Sequence, residues 1–581
     1  MNAILTRRRF IAASVSAAGG LVIAVSVRPA FAAAPSGALP TESRAAPGEV
    51  NAFVVVDPDN QVTLRIAKSE MGQGVMTSLA MIVAEELHCD FAKIKVEYAS
   101  ANRNLLDGGI YRRMSTGGSS SVRRSREFLQ QAGASARERL IGAAAARWSV
   151  DRSACAARGG EVLHAASNRK ATFGELAAHA ATIILPREPA IKTPDQFTLI
   201  GTSQPRFDTP AKVTGAAKFG IDARLPDMVY AAVLNCPVFG GKLRSFDASA
   251  IKNRRGYIAC APVENGIAIV FDRFWRAKEA ANALPVEWSV GADGNTDSAQ
   301  FREEYRGLLD GKLTNVVDQG DAKAAFAGAA RVVEALYEAP HLAHAPMEPL
   351  NATVHWRPDQ IDVWMGTQDA DGALKLAAQV GGVDPARVFI HNCYLGGGFG
   401  RRAVNDELRQ AVQVSKAIGK PVKLVWTREQ DIQHDRYRPQ AAIAMKAALR
   451  PDGIPMALDF RTAVGSISRS LGWARGDGIE PSAVEGLANT PYRSEALKVD
   501  AVMKNTHVPV MFWRSVGSSQ NAFAVESFID ELLCRGQGPV RLSPRAARRQ
   551  AGFPRRARQA RRQGRLGQAF AERLGARHGD P

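Results

Sequence analysis

Apolar residues recur with two different periods along this chain, and the changes between them mark its elements. Ala52–Val56 and Gln61–Ile66 alternate on either side of Asp57-Pro58-Asp59-Asn60, which predicts a hairpin. Leu79, Ile82, Val83 and Leu87 share one face of a helix over Val75–Leu87, and Ile94–Tyr98 reads as a strand. A Gly/Ser-rich loop, Ser115–Ser121, precedes a second helix through Phe128, Leu140, Ile141 and Trp148. Pro186–Pro205 reads as a linker, Phe219–Val238 and Gly266–Phe271 as strands, and Arg276–Leu284 as a helix. From Arg331 onward strands such as Val388–Ile390 alternate with helices such as Asp406–Ile418, which stops at Gly419 with Pro421 beyond. The mixture predicts an α+β, multidomain fold.

The length of 581 residues agrees with several domains, and 46% apolar against 23% charged residues supports large cores. A net charge of +18 would ordinarily point to nucleic acid or an acidic membrane surface. Its distribution removes that reading. Residues 535–581 hold 13 Arg and only two acids, Glu572 and Asp580, and residues 1–32 hold Arg7, Arg8, Arg9 and Arg28 with no acid. The body between them carries only +3, so no nucleic-acid partner is expected.

The N-terminus, Arg7-Arg8-Arg9-Phe10 followed by a weakly apolar stretch and Ala30-Phe31-Ala32, reads as a twin-arginine export leader over 1–32. It implies a periplasmic protein and hints at a cofactor, since such leaders usually accompany chains that fold around one before export. Gly19, Gly20 and many Ala and Ser make it a poor membrane anchor, and no later segment is apolar enough for stable membrane insertion. Residues 33–50 form a small, Pro-rich linker. The Arg-rich tail, 535–581, reads as an anionic-partner arm or as a disordered extension with no evolved role; the second is preferred, with a reading-frame shift near Leu533 as its expected origin. Six scattered cysteines form no Cys-x-x-Cys pair, so iron–sulfur clusters are expected on another chain.

Three glycine-rich elements stand out as candidate chemistry. Glu70-Met71-Gly72-Gln73-Gly74 lies between a strand and a helix, where backbone N–H groups attract anions and Gln73 offers a forked donor and acceptor. Leu395-Gly396-Gly397-Gly398-Phe399-Gly400-Arg401-Arg402 is too glycine-rich to order without a reason, which points to close ligand approach rather than packing. It lacks the ending of a P-loop and the spacing of a dinucleotide fingerprint. In Phe512-Trp513-Arg514-Ser515-Val516-Gly517, Arg514 could neutralise a phosphate. Gln368 of Met365-Gly366-Thr367-Gln368 is a weaker candidate. His341, His344 and Glu348 have ligand-like spacing, but Pro340, Pro346 and Pro349 preclude a helix to present them, and no metal site is assigned there.

Together these elements resemble the molybdenum-cofactor-binding subunit of the xanthine dehydrogenase/aldehyde oxidase family, most closely the isoquinoline 1-oxidoreductase beta-subunit type. The resemblance spans roughly 45–534, including Thr77, Thr367-Gln368 and Asn521–Leu532, and the Glu70–Gly74 element precedes the other two as in that type. It implies a molybdopterin-binding segment over 51–185, an α/β hammerhead domain over 205–290 that begins near Lys212–Phe219, and a second molybdopterin-binding domain over 320–534. It further implies a molybdopterin cytosine dinucleotide with Mo, held by Gly72, Gln73, Gly74, Gln368, Gly396, Gly397, Gly398, Phe399, Gly400, Arg401, Arg514 and Gly517. [2Fe–2S] clusters are then expected on a small iron–sulfur subunit that passes electrons to an acceptor protein or cytochrome. The implied reaction hydroxylates an N-heteroaromatic (isoquinoline-like) or aldehyde substrate with water as oxygen source. The family's late Gly-x-Gly-Glu base has no counterpart, since the tail offers only Glu572 without a preceding Gly. The catalytic residue is therefore unassigned, and impaired activity is expected, or a non-catalytic scaffold or binding chain of the same fold.

Overall fold

The computed structural model describes residues 48–535. The expected leader, most of the 33–50 linker and the tail beyond Arg535 lie outside the described residues. Two compact units emerge, one holding the chain up to Gly294 together with His344–Asp435, the other Asn295–Ala343 with the chain from Arg436. The 320–534 segment is thus shared between both.

In the first unit, the hairpin strands Val54–Val56 and Val62–Ile66 pair antiparallel, and Val62–Ile66 continues parallel to Lys95–Tyr98. Helices Val75–Leu87 and Ser121–Trp148 bury their apolar faces in the same core. Their close approach needs Gly133, since a Cβ there would stand 2.4 Å from the Val83 carbonyl oxygen.

A seven-stranded sheet follows, ordered Tyr257–Val263, Gly266–Phe271, Val229–Asn235, Val422–Val425, Asn351–Arg357, Gln360–Met365, Val388–Asn392. Strands from the 205–290 segment therefore share one sheet with strands from 351–425. The strand expected over Phe219–Val238 begins only at Val229. Upstream, the Asp222 carboxylate accepts from Phe219 N–H (3.0 Å) and closes a tight 3₁₀ turn. The Asp406–Ile418 helix ends as its sequence demands, with Gly419 at φ +64°.

The stretch 186–205 is not a loose linker. The buried Glu85 carboxylate accepts from the backbone N–H groups of Thr198, Leu199 and Ile200 and from Lys192 Nζ at 2.6 Å. Glu86 adds a bond from Lys192 N–H (2.8 Å). Burial alone would push the Glu85 carboxyl up; the Lys192 ammonium and the Ile200, Leu199 and Thr198 N–H groups outweigh it and hold the pKa at about 2.

The second unit is built on a five-stranded sheet, ordered Thr314–Gln319, Ala496–Met503, Pro455–Val464, Ala441–Leu449, Arg331–Ala339. Helix Ser518–Arg535 buries Ala524, Val525, Phe528 and Ile529 in the same core as Met445, Leu458 and Phe460. The architecture is α+β with more than one compact unit. Among the described residues Cys89, Cys155, Cys236, Cys260 and Cys393 are free thiols. No helix of the described residues is long and apolar enough to cross a membrane.

Candidate functional site

Strands Gln360–Met365 and Val388–Asn392 run parallel, with Met365 opposite Asn392. Their register makes Gly366-Thr367-Gln368 and Cys393–Gly400 leave the same sheet edge side by side. A third segment joins them from the smaller sheet. Ser69 Oγ donates to the Thr367 carbonyl (2.7 Å) and accepts from Asn392 Nδ2 (3.0 Å), while Leu395 N–H donates to the Glu70 carbonyl (3.3 Å). The first unit therefore brings together Gly72, Gln73, Gly74, Gln368 and Gly396–Gly400.

Gln368 is the buried centre of this arrangement. Its Nε2 donates to the Thr116 carbonyl (2.9 Å), its Oε1 accepts from Gly400 N–H (3.1 Å), and its backbone carbonyl accepts from Thr116 N–H (2.7 Å). Thr116, which the sequence left inside an anonymous Gly/Ser loop, also receives Ser69 N–H at 2.9 Å. Only the tertiary fold shows its part.

The glycines have a packing cause that the sequence argument excluded. A Cβ at Gly396 would stand 2.4 Å from Glu348 Cβ, and one at Gly398 would stand 2.6 Å from Gln368 Oε1 and 3.0 Å from Met71 Sδ. Gly397 and Gly400 are required differently, by φ of +97° and +119°. Phe399 also has a positive φ, +56°, while Gly398 between them does not. Alternation of φ sign is the backbone pattern by which anion-binding concavities turn successive N–H groups toward a common point. Among the described residues, the N–H groups of Gly397, Gly398 and Phe399 have no acceptor. Gly398→Ala is expected to lower stability by about 1–3 kcal/mol through overpacking. Combining it with Gln368→Ala, which removes the 2.6 Å contact, should cost less than the sum of the two single changes. Denaturation of the two single variants and the double variant measures this; strict additivity would reject the contact as the cause.

The Glu70–Gly74 element behaves differently from its sequence expectation. The anion at the N-terminus of helix Val75–Leu87 is the chain's own Glu70, fully buried, whose carboxylate accepts from Gly72 (2.8 Å), Gly74 (3.1 Å) and Met76 (3.0 Å) N–H groups. Arg206 Nη2 completes it at 3.1 Å. Gln73 turns back on its own loop, accepting from Met71 N–H (2.7 Å) and donating to the Ser69 carbonyl (2.9 Å).

Arg401 and Arg402 are both fully buried. Arg401 lies between Asp406 (2.9 Å) and Asp435 (2.8 Å) with its Nη1 on the Val404 carbonyl, so its guanidinium serves internal ion pairs. Arg402 donates to the carbonyls of Gly397 (3.0 Å), Gly366 (3.2 Å) and Glu348 (2.7 Å). Glu348 answers from the other side, accepting from Gly396 N–H (2.8 Å), Ile221 N–H (2.9 Å) and Asn351 Nδ2 (3.0 Å). Glu348 thus fixes the glycine loop, while His344 gives its ring to Asp435 (3.0 Å). His341, Arg514 and Gly517 belong to the second unit. There Arg514 is exposed, and a Cβ at Gly517 would stand 2.0 Å from the Ser482 carbonyl oxygen.

Two family models, each described as a molybdopterin cofactor-binding domain, match the chain, one over residues 7–220 and one over 309–535. The beta subunit of isoquinoline 1-oxidoreductase from Brevundimonas diminuta is 29% identical, the match covering 91% of this chain and 73% of that protein. A membrane-bound aldehyde dehydrogenase (pyrroloquinoline-quinone) of Gluconacetobacter polyoxogenes is also 29% identical, covering 83% of this chain and 64% of its own length. A nicotinate dehydrogenase subunit from Pseudomonas putida is 28% identical, covering 90% of this chain and 44% of its own. The chain thus spans between 44% and 73% of these relatives. With both cofactor-domain models matched on either side of the central sheet segment, the chain belongs to the molybdenum-cofactor-binding subunits of the xanthine dehydrogenase family.

Proposed function

We propose that this chain is the large subunit of a molybdenum hydroxylase that oxidises an N-heteroaromatic or aldehyde substrate with water as oxygen source. The observation that carries the reading is the trio of unpartnered N–H groups at Gly397, Gly398 and Phe399, held by Gln368 and Arg402. That donor set fits an oxo- or phosphate-bearing group such as molybdopterin, whereas the Glu70-sealed helix N-terminus adds no free charge to it. When bound, the cofactor supplies the acceptor for the two electrons removed from the substrate carbon.

The chain's own residues supply position. Gln368, fixed at both ends of its amide, holds Gly400 and with it the loop that carries the three N–H groups. Met347 (88% exposed) and Phe399 (36%) provide apolar surface near the same loop. The substrate class follows the relatives, whose names specify isoquinoline, an aldehyde and nicotinate. We take the cofactor as the cytosine dinucleotide form, the [2Fe–2S] clusters as residing on a separate small subunit, and an acceptor protein or cytochrome as the electron sink. The twin-arginine sequence supports periplasmic assembly. The test is metal analysis of the purified protein, co-expressed with a small iron–sulfur subunit, followed by dye reduction with isoquinoline, nicotinate and benzaldehyde. About one Mo per chain, CMP released on acid hydrolysis and turnover of one substrate are expected. A preparation without Mo overturns the reading, and Mo without dye reduction makes the chain a non-catalytic carrier.

A further inference from the structure

The second unit contains a buried cation with no counter-charge. Arg438 is 8% exposed. Its Nη2 donates to the Pro340 carbonyl (2.7 Å), its Nη1 lies 3.5 Å from Ser519 Oγ, and its Nε has no partner. Among the described residues it forms no ion pair with a carboxylate. The buried arginines of the glycine loop are each answered by an acid, Arg401 by Asp406 and Asp435, Arg402 by Glu348. Glu480, on a neighbouring segment of the second unit, is already taken by the N–H groups of Ile467 (2.7 Å) and Ser468 (3.0 Å). An arginine cannot shed its proton to relieve such burial, so a bound anion would offset its cost.

We propose that Arg438 and the first turn of helix Ser518–Arg535 form a binding site for a phosphate-type oxyanion. The two parts converge on one point. Ser519, which Arg438 reaches, lies in the first turn of an 18-residue helix, where the N–H groups of Ser518 and Gln520 have no acceptor among the described residues and the helix dipole favours negative charge. The loop entering that turn is fixed from two sides. Trp513 Nε1 donates to the Ala343 carbonyl (3.2 Å), and Ser519 N–H donates to the Val516 carbonyl (3.1 Å). The uncompensated field is already felt nearby. Burial, then the charge on Arg438, then His507 push the His341 imidazole down to about 4, so this histidine adds no second positive charge.

The site stands independently of the molybdenum assignment, because the probe is inorganic phosphate on the purified full chain. At constant ionic strength, replacing chloride by about 20 mM phosphate should raise the melting temperature by about 2–4 °C. Arg438→Met should lose that increment and Arg438→Lys should keep part of it. Ser519→Asp places a tethered carboxylate beside Arg438, so it should melt higher without phosphate and no longer respond to it. This variant keeps the test decisive if Arg438→Met fails to fold. Methyl phosphate run in parallel separates the free ion from an ester: an equal or larger shift assigns the site to a phosphate ester, a smaller one to the free ion. An unchanged wild-type melting temperature overturns the proposal. So does an increment that persists in Arg438→Met or Ser519→Asp, which would place the phosphate elsewhere.

Discussion

Arg402→Met is expected to destabilise the first unit by about 4–5 kcal/mol, enough to unfold many domains of this kind. The guanidinium holds four carbonyls, those of Gly397, Gly366, Glu348 and Pro349, and lies 3.2 Å from the Glu348 carboxylate. Each buried acceptor left unpaired costs about 1–3 kcal/mol, and a buried carboxylate stripped of its partner costs about 3–5 kcal/mol. These terms share atoms, so their sum overstates the loss. Arg402→Lys keeps the charge but not the fork, and should fall between wild type and Arg402→Met. Urea denaturation measures the order. If Arg402→Met lies within about 1 kcal/mol of wild type, the guanidinium is not what holds the glycine loop.

Glu85 carries the second large effect, and it depends on pH. Its pKa is about 2 in the fold against an ordinary 4.5, so the fold favours the ionised form. The associated stability, on the order of 3 kcal/mol, is fully present above about pH 4.5 and is lost as pH falls toward 2. Glu85→Gln should remove it at neutral pH, leaving Lys192 without its ion pair and the Thr198–Ile200 N–H groups sharing a single amide oxygen. The variant should then show a flatter acid transition, and the 186–205 stretch should be cut sooner by a protease at neutral pH. An acid transition identical to wild type would show that the 186–205 stretch is held by other contacts.

Helix Asp406–Ile418 was legible to the residue, because an apolar face, Gly419 and Pro421 are all local signals. So was Val75–Leu87. What occupies its N-terminus was not. Glu70 is only a few residues away in sequence, but its role depends on Arg206, which lies just beyond the stretch read as a linker. Arg401 and Arg402 look alike in sequence and differ in partners, Asp435 for one and Glu348 for the other, both set by distant chain. Gln368 carried a weak signal at a strand end. It becomes central because a neighbouring strand ends at the same level, a fact of register that no single segment encodes.

The position of Val422–Val425 at the middle of the seven-stranded sheet has a consequence for synthesis. It is the last of the seven strands to be made, yet it joins Val229–Asn235 on one side to Asn351–Arg357 on the other. Until it emerges, the nascent chain carries two separate three-stranded halves, each ending in an unpaired edge. At about 5–20 residues per second, the first half waits on the order of ten seconds for its closing strand. Open edges of this kind recruit other strands, so the chain is most exposed to aggregation midway through translation. Slowing translation before residue 422 should therefore lower the soluble yield, and holding chaperones on the nascent chain should restore it.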